Sequence, residues 1–153
     1  MYQKILVPLD GSEFAECSLA HAKAIAGGCQ AQKVIFLQVT EPLPQANIIS
    51  AELGDEFFAK ADKETRTANE RYLSRFVDDF NSAGIPATAE MAKGKAADTI
   101  LDYASKNNID LIILSTHGSS GIVRWAIGSV ADRVVRHSPV PVLVVAPKAC
   151  RVG

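Results

Sequence analysis

Four short runs of Val, Ile and Leu punctuate the chain, at residues 4–9, 33–39, 110–115 and 140–146. Each is apolar at neighbouring positions rather than at alternate ones, the pattern of strands covered on both faces. Residues 86–92 alternate poorly and form a weaker fifth candidate. The segments between them carry helical spacing. Residues 13–26 are alanine-rich, begin after Ser12 as N-cap and are expected to end at Gly27-Gly28. Residues 56–82 place Tyr72, Phe76 and Phe80 at i, i+4 steps, joined by Leu73 and Val77, and Gly84-Ile85-Pro86 stops them. Residues 95–107 put Ile100, Leu101 and Ala104 on one face, and 129–137 do the same with Val130 and Val134.

Strand and helix in regular alternation predict βαβ units with right-handed crossovers. The expected fold is α/β, a three-layer sandwich: a five-stranded parallel sheet in order 3-2-1-4-5, helices on both faces, Rossmann-like. Residues 40–55, with Pro42, Pro44 and Gly54, are expected to form the only long loop, a lid beside the end of strand 2. The mixed charges from Asp55 to Asp79 read as the solvated face of the long helix, with Glu56/Lys60 and Asp62/Arg66 at pairing distance.

Length and charge narrow the picture. The 153 residues suit one domain spanning 1–153, with 147–153 as a loose tail, and such a chain can bury about 70% of its unfolded surface. A net charge of −1 gives no basic surface for nucleic acid or an anionic membrane. No apolar stretch approaches the roughly 20 residues that span a bilayer. The N-terminus runs straight into strand-like Lys4–Asp10 without the regions of a signal peptide, so the expected compartment is the cytoplasm. Cysteines 17, 29 and 150 lack metal-ligand spacing and are expected to be three reduced thiols.

Open parallel sheets bind ligands beyond the carboxyl ends of their strands, where strand order reverses. Two such ends are chemically loaded. Strand 1 runs out through Val7-Pro8-Leu9-Asp10-Gly11-Ser12, and strand 4 through Leu114-Ser115-Thr116-His117-Gly118. Gly118 and Gly128 bracket nine residues, and Ser129 opens the last helix. Glycine lets backbone N–H groups approach a phosphate, and a helix start adds unpaired donors and a positive dipole end. Ser129 has two compatible readings: a hydroxyl donor to phosphate, or a helix cap in the spacing Ser129-x-x-Asp132. Asp10 also has two. It can accept from a ribose or adenine edge, or help hold Mg²⁺ on phosphates; alternatively it shapes the turn before Gly11. His117 stands beside Gly118, and Arg124 is placed to reach the phosphates, whereas Trp125 reads as packing. His21, His117 and His137 form no metal-ligand cluster, and no protein metal site is expected. The chain contains no G-x-x-x-x-G-K-[ST], no G-x-G-x-x-G after strand 1 and no G-x-S-x-G. No catalytic residue is expected, which leaves binding as the function.

Ile5-Leu6-Val7-Pro8-Leu9-Asp10-Gly11-Ser12, Ser115-Thr116-His117-Gly118, Gly128-Ser129-Val130-Ala131 and Pro139–Val145, in this order, resemble the universal stress protein family along essentially the whole chain. The resemblance implies the same five-stranded sheet and, in many members, a dimer. One branch of that family binds ATP through G-x-x-G-x9-G-[ST], whose last three elements fall here on Gly118, Gly128 and Ser129, while Ser115 replaces the first glycine. By the same resemblance, Asp10 faces the adenosine and Val39 contacts adenine, with Pro8, Leu9 and Val130 completing the wall. It implies an ATP-binding (or AMP- or ADP-binding) stress-response module, with or without Mg²⁺, whose nucleotide state alters a surface for an unidentified protein partner. Two alternatives stand beside it. One is a slow ATPase or nucleotidyl-transfer relative, although the S-G-G-x-D-S loop of such enzymes is missing after strand 1. The other is a dimeric scaffold that binds no nucleotide. Strand 140–146, apolar and without a gatekeeping charge, is expected to pair with its copy in a homodimer.

Overall fold

The computed structural model describes residues 1–42, 49–116 and 127–146, with the side chains of 49–53 set aside. Five strands, β1 (Lys4–Pro8), β2 (Lys33–Thr40), β3 (Ala87–Lys93), β4 (Leu111–Ser115) and β5 (Val142–Val145), form one sheet in the order β3-β2-β1-β4-β5. All pairings are parallel. Four helices alternate with them: α1 (Glu13–Cys29), α2 (Ile49–Ser82), α3 (Ala96–Lys106) and α4 (Ser129–His137).

The continuous apolar runs are explained by two separate cores. Ile5, Val7, Val34, Phe36 and Ile113 point to one face, where they pack with α1 and with Leu73 and Phe80 of α2. Leu6, Ile35, Leu37, Ile112 and Leu114 point to the other and meet α3 and α4 through Ala97, Ile100, Ala104, Ala131 and Val134. Phe36 anchors the first core, edge-on to Phe80 at 5.0 Å between ring centroids. Burying each such side chain contributes about 1.5–3 kcal/mol, which is why both faces need a helix layer.

Element boundaries shift where backbone chemistry overrides local signals. Gly27 and Gly28 do not end α1. The helix runs to Cys29, and Gln30 takes the left-handed cap (φ 52°), its N–H donating to the Ala26 and Gly27 carbonyls. Asp110 does not belong to β4. Its carboxylate accepts from the N–H groups of Gln3 and Lys4, both at 2.8 Å, and so caps the start of the sheet. The loop expected at 40–55 is shorter, because helical structure starts at Ile49; Gly54 (φ 74°, ψ 159°) breaks the helix where the loop was expected to finish. The remainder of the lid, 43–48, lies outside the described residues, as does the 147–153 tail. Asp62 pairs across to Lys93 of β3 at 2.8 Å rather than with Arg66, which reaches Glu70 instead. Cys29 is a free thiol, but Cys17 is disulfide-bonded, so the expectation of three reduced thiols is corrected; the partner of Cys17 lies outside the described residues.

The tight β3–α3 connection depends on Gly94. Its N–H closes the ladder on the Thr40 carbonyl at 3.0 Å, its φ is 148°, and a Cβ there would stand 2.5 Å from Thr99 Oγ1. Gly94→Val is therefore expected to cost about 2–4 kcal/mol, read as a lower urea midpoint. Gly28→Ala, inside a helix and with nothing within 4 Å, should instead stabilise by about 0.5–1 kcal/mol.

Candidate functional site

All four helices of a doubly wound sheet start above the carboxyl ends of the strands, and three of those starts meet here around one cleft of about 290 Å³. Its floor is apolar: Leu37 and Val39 from β2, Leu114 from β4, Ile100 from α3 and Ala131 from α4. Pro8, Leu9 and Asp10 run along one side, and Ser115, Thr116, Gly128, Ser129 and Val130 along the other. The sides adjoin because β1 pairs with β4 and with β2, the point at which strand order reverses.

The helix starts differ in how their backbone donors are used. At α1, Ser12 is the N-cap and its Oγ accepts from Ala15 N–H at 3.2 Å. Asp10 in turn accepts through Oδ1 from the Ser12 N–H at 2.9 Å and the Ser12 hydroxyl at 2.5 Å. Asp10 thus shapes the turn at Gly11 (φ 85°), as one of its two sequence readings has it, and it also lines the cleft. At α4 the cap is Gly128, not Ser129, and no side chain caps this end. The Gly128 N–H is held by the Thr116 carbonyl at 2.7 Å, and the Gly128 carbonyl accepts from Asp132 N–H at 2.9 Å. The cap reading of Ser129, with Asp132 three residues on, is corrected: Ser129 lies inside the helix and does not cap it. Ser129 is the first helical residue, exposed at the cleft, where the opening N–H groups of a helix have no intrahelical acceptor. The start of α3, at Ala96, is likewise without a side-chain cap, and its Asp98 is tied to Arg133 of α4 at 2.7 Å.

The cleft has the composition of a site for a ligand with a flat apolar part and an anionic part. The apolar floor can take a ring, the Asp10 carboxylate can accept from hydroxyls, and the α4 start favours negative charge through its N–H groups and dipole. A nucleotide fits that division. Among the described residues, no group of three or more His, Cys, Asp or Glu side chains is placed to hold a metal ion.

Eight of the residues singled out in the sequence, Pro8, Leu9, Asp10, Val39, Ser115, Gly128, Ser129 and Val130, line this one cleft. His117, Gly118 and Arg124 lie outside the described residues. The sequence reading missed Ala15, Leu37, Ala96, Ile100, Leu114, Thr116 and Ala131. Some had a signal: Leu37 is two residues from Val39 and so on the same strand face, and Ala96 and Ile100 are one helical turn apart. No helix among the described residues is long and apolar enough to cross a membrane.

Comparison with known proteins agrees with the fold. "Universal stress protein MJ0531" of Methanocaldococcus jannaschii is 32% identical over 145 residues, covering 95% of this chain and 82% of that protein. The solved structure of MJ0577, from the same organism, is 30% identical with a TM-score of 0.81, covering 95% of this chain and 96% of that one. An Arabidopsis thaliana universal stress protein family member, solved with AMP bound, has a TM-score of 0.67 at 17% identity, covering 94% and 91% of the two chains; at that identity the likeness concerns the fold. The family model described as "Universal stress protein family" matches residues 1–146, and this chain belongs to that family.

Proposed function

We propose that the chain binds an adenine nucleotide, with ATP the first candidate, and serves as a nucleotide-dependent regulatory module in a stress response. The observation that carries this reading is the start of α4. It opens, without a side-chain cap, on a cleft whose floor is otherwise apolar. The phosphates would lie against Gly128, Ser129 and Val130, the ring over Val39 and Leu37, and the sugar hydroxyls toward Asp10. Ser115 supplies a hydroxyl where the family motif has glycine, and Gly118, His117 and Arg124 complete the phosphate side of the proposal. Asp10 is the only carboxylate among the described residues lining the cleft, so any Mg²⁺ would be held chiefly by phosphate oxygens and water. The reading places the chain in the cytoplasm, where adenine nucleotide is abundant.

Mass spectrometry of ligand released from denatured protein, followed by calorimetric titration with ATP, ADP and AMP, tests the assignment. Retained adenine nucleotide and a saturable titration are expected, whereas a flat titration would leave the scaffold reading. Sustained turnover of labelled ATP would instead favour the hydrolase alternative. Asp10→Ala should weaken ATP binding by about 1–3 kcal/mol, since it removes a charged acceptor. Asp10→Asn, which keeps an oxygen for Ser12, should lose less.

We also infer a homodimer through residues 140–146. Val142, Leu143 and Val144 at the sheet edge are half-exposed and uncharged, a combination that soluble proteins cover by pairing. An unidentified protein partner would read the nucleotide state of the dimer.

A further inference from the structure

Gln38 is a polar residue in an apolar place. It lies on β2 on the same face as Val34 and Phe36, which belong to the core under α1 and α2, and it is only 7% exposed. Its Oε1 is buried without a hydrogen-bond partner. A buried, unpaired amide oxygen carries a desolvation penalty that an apolar side chain of the same length would not. Packing alone therefore gives no reason for glutamine here.

The position supplies one. Leu9 N–H donates to the carbonyl of Leu37 at 2.9 Å, so β1 leaves the sheet one residue before Gln38 on its neighbour. The chain then turns through Gly11, and the Gln38 amide borders that turn at the glycine: Nε2 lies 3.9 Å from where a Cβ on Gly11 would stand, an ordinary van der Waals separation. On this same inner side sits Tyr72, whose hydroxyl is also buried and lies beside the Glu16 carboxylate. Burial, and then the carboxylates of Glu16 and Asp10, hold that hydroxyl above its ordinary pKa, so the Asp10 charge is felt on this side of the turn as well as in the cleft.

We propose that Gln38 is a positioning residue for the cleft: its amide supports the Asp10-Gly11-Ser12 turn from below and so sets where the Asp10 carboxylate is presented. Gln38 does not line the cleft and acts through Asp10. The inference rests on the nucleotide reading for its effect on affinity, but not for its effect on the turn.

Gln38→Met, of similar length and without the buried oxygen, tests it. The expected result has three parts. Amide exchange at Ser12, whose N–H is held by Asp10, quickens in the free protein; affinity for ATP falls about five- to tenfold; and Tm rises by a few degrees as the penalty is removed. Gln38→Leu serves the same purpose if the Met variant does not fold. Thr88→Val removes another buried, unpaired oxygen, near the amino end of β3 and away from the cleft, and should raise Tm while leaving Ser12 exchange and affinity unchanged. Ser12 exchange at the wild-type rate in Gln38→Met overturns the proposal, whatever happens to Tm. If wild-type protein takes up no ATP, the nucleotide reading fails, and Ser12 exchange alone still decides the role of Gln38.

Discussion

Gly128→Val is expected to reduce ATP affinity at least a hundredfold while leaving the fold intact. Gly128 has φ −57° and ψ 151°, a conformation open to any residue, so the substitution introduces no backbone strain. Its hydrogen bonds to Thr116 and Asp132 are made by main-chain atoms and survive the change. What changes is the approach to α4. A branched side chain at the cap stands between a phosphate and the N–H groups of Ser129, Val130 and Ala131. Those donors and the helix dipole supply the anionic part of the proposed site, and no lysine or arginine among the described lining residues would replace them. Calorimetry for binding and urea denaturation for the fold separate the two effects. Parent and variant binding ATP equally would show that phosphate does not sit at α4.

Val144→Pro is expected to convert a dimer into a monomer. The carbonyls of Pro141 and Val145 accept from Ile112 and Thr116 of the β4 segment, so odd-numbered residues of β5 direct their backbone groups inward and Val142 and Val144 direct theirs to the open edge. Proline at 144 removes one outward N–H and spares the ladder to β4. Lysine at 142 and 144 would be a poorer probe, because Val142 packs against the core beneath α3 and α4. Light scattering at micromolar concentration should give twice the chain mass for wild type and the chain mass for the variant. A monomeric wild type would end the edge-pairing proposal.

The layered sheet was legible because each apolar run has to satisfy two faces at once. In Ile5-Leu6-Val7, neighbouring side chains go to different cores, and only a strand between two helix layers buries all three. The same logic made the cleft's place legible. Strand 1 ends in a charged turn and strand 4 in hydroxyls, and a parallel sheet puts those ends on one rim. Local signals failed where a distant backbone group had a competing claim. Gly27 and Gly28 remain helical because Gln30, beyond them, supplies the left-handed cap. Asp110 leaves its strand because two N–H groups of the first strand, more than a hundred residues away, need an acceptor. The spacing Ser129-x-x-Asp132 allows a capping box as one reading of Ser129, but Gly128, its N–H held by the Thr116 carbonyl, takes the cap position, and that leaves the start of α4 without a side-chain cap.

The sequence by itself determined the alternation of elements, the two-sided strands and the chemistry at the carboxyl rim, since these follow from side-chain periodicity and residue type. Only the tertiary structure decided that the starts of α3 and α4 stay without side-chain caps, that Ala96 and Ile100 of α3 line the cleft, and that Gln38 lies buried next to the turn at Gly11. Those features depend on which atoms meet across strands and helices distant in the chain, and no local pattern records such meetings.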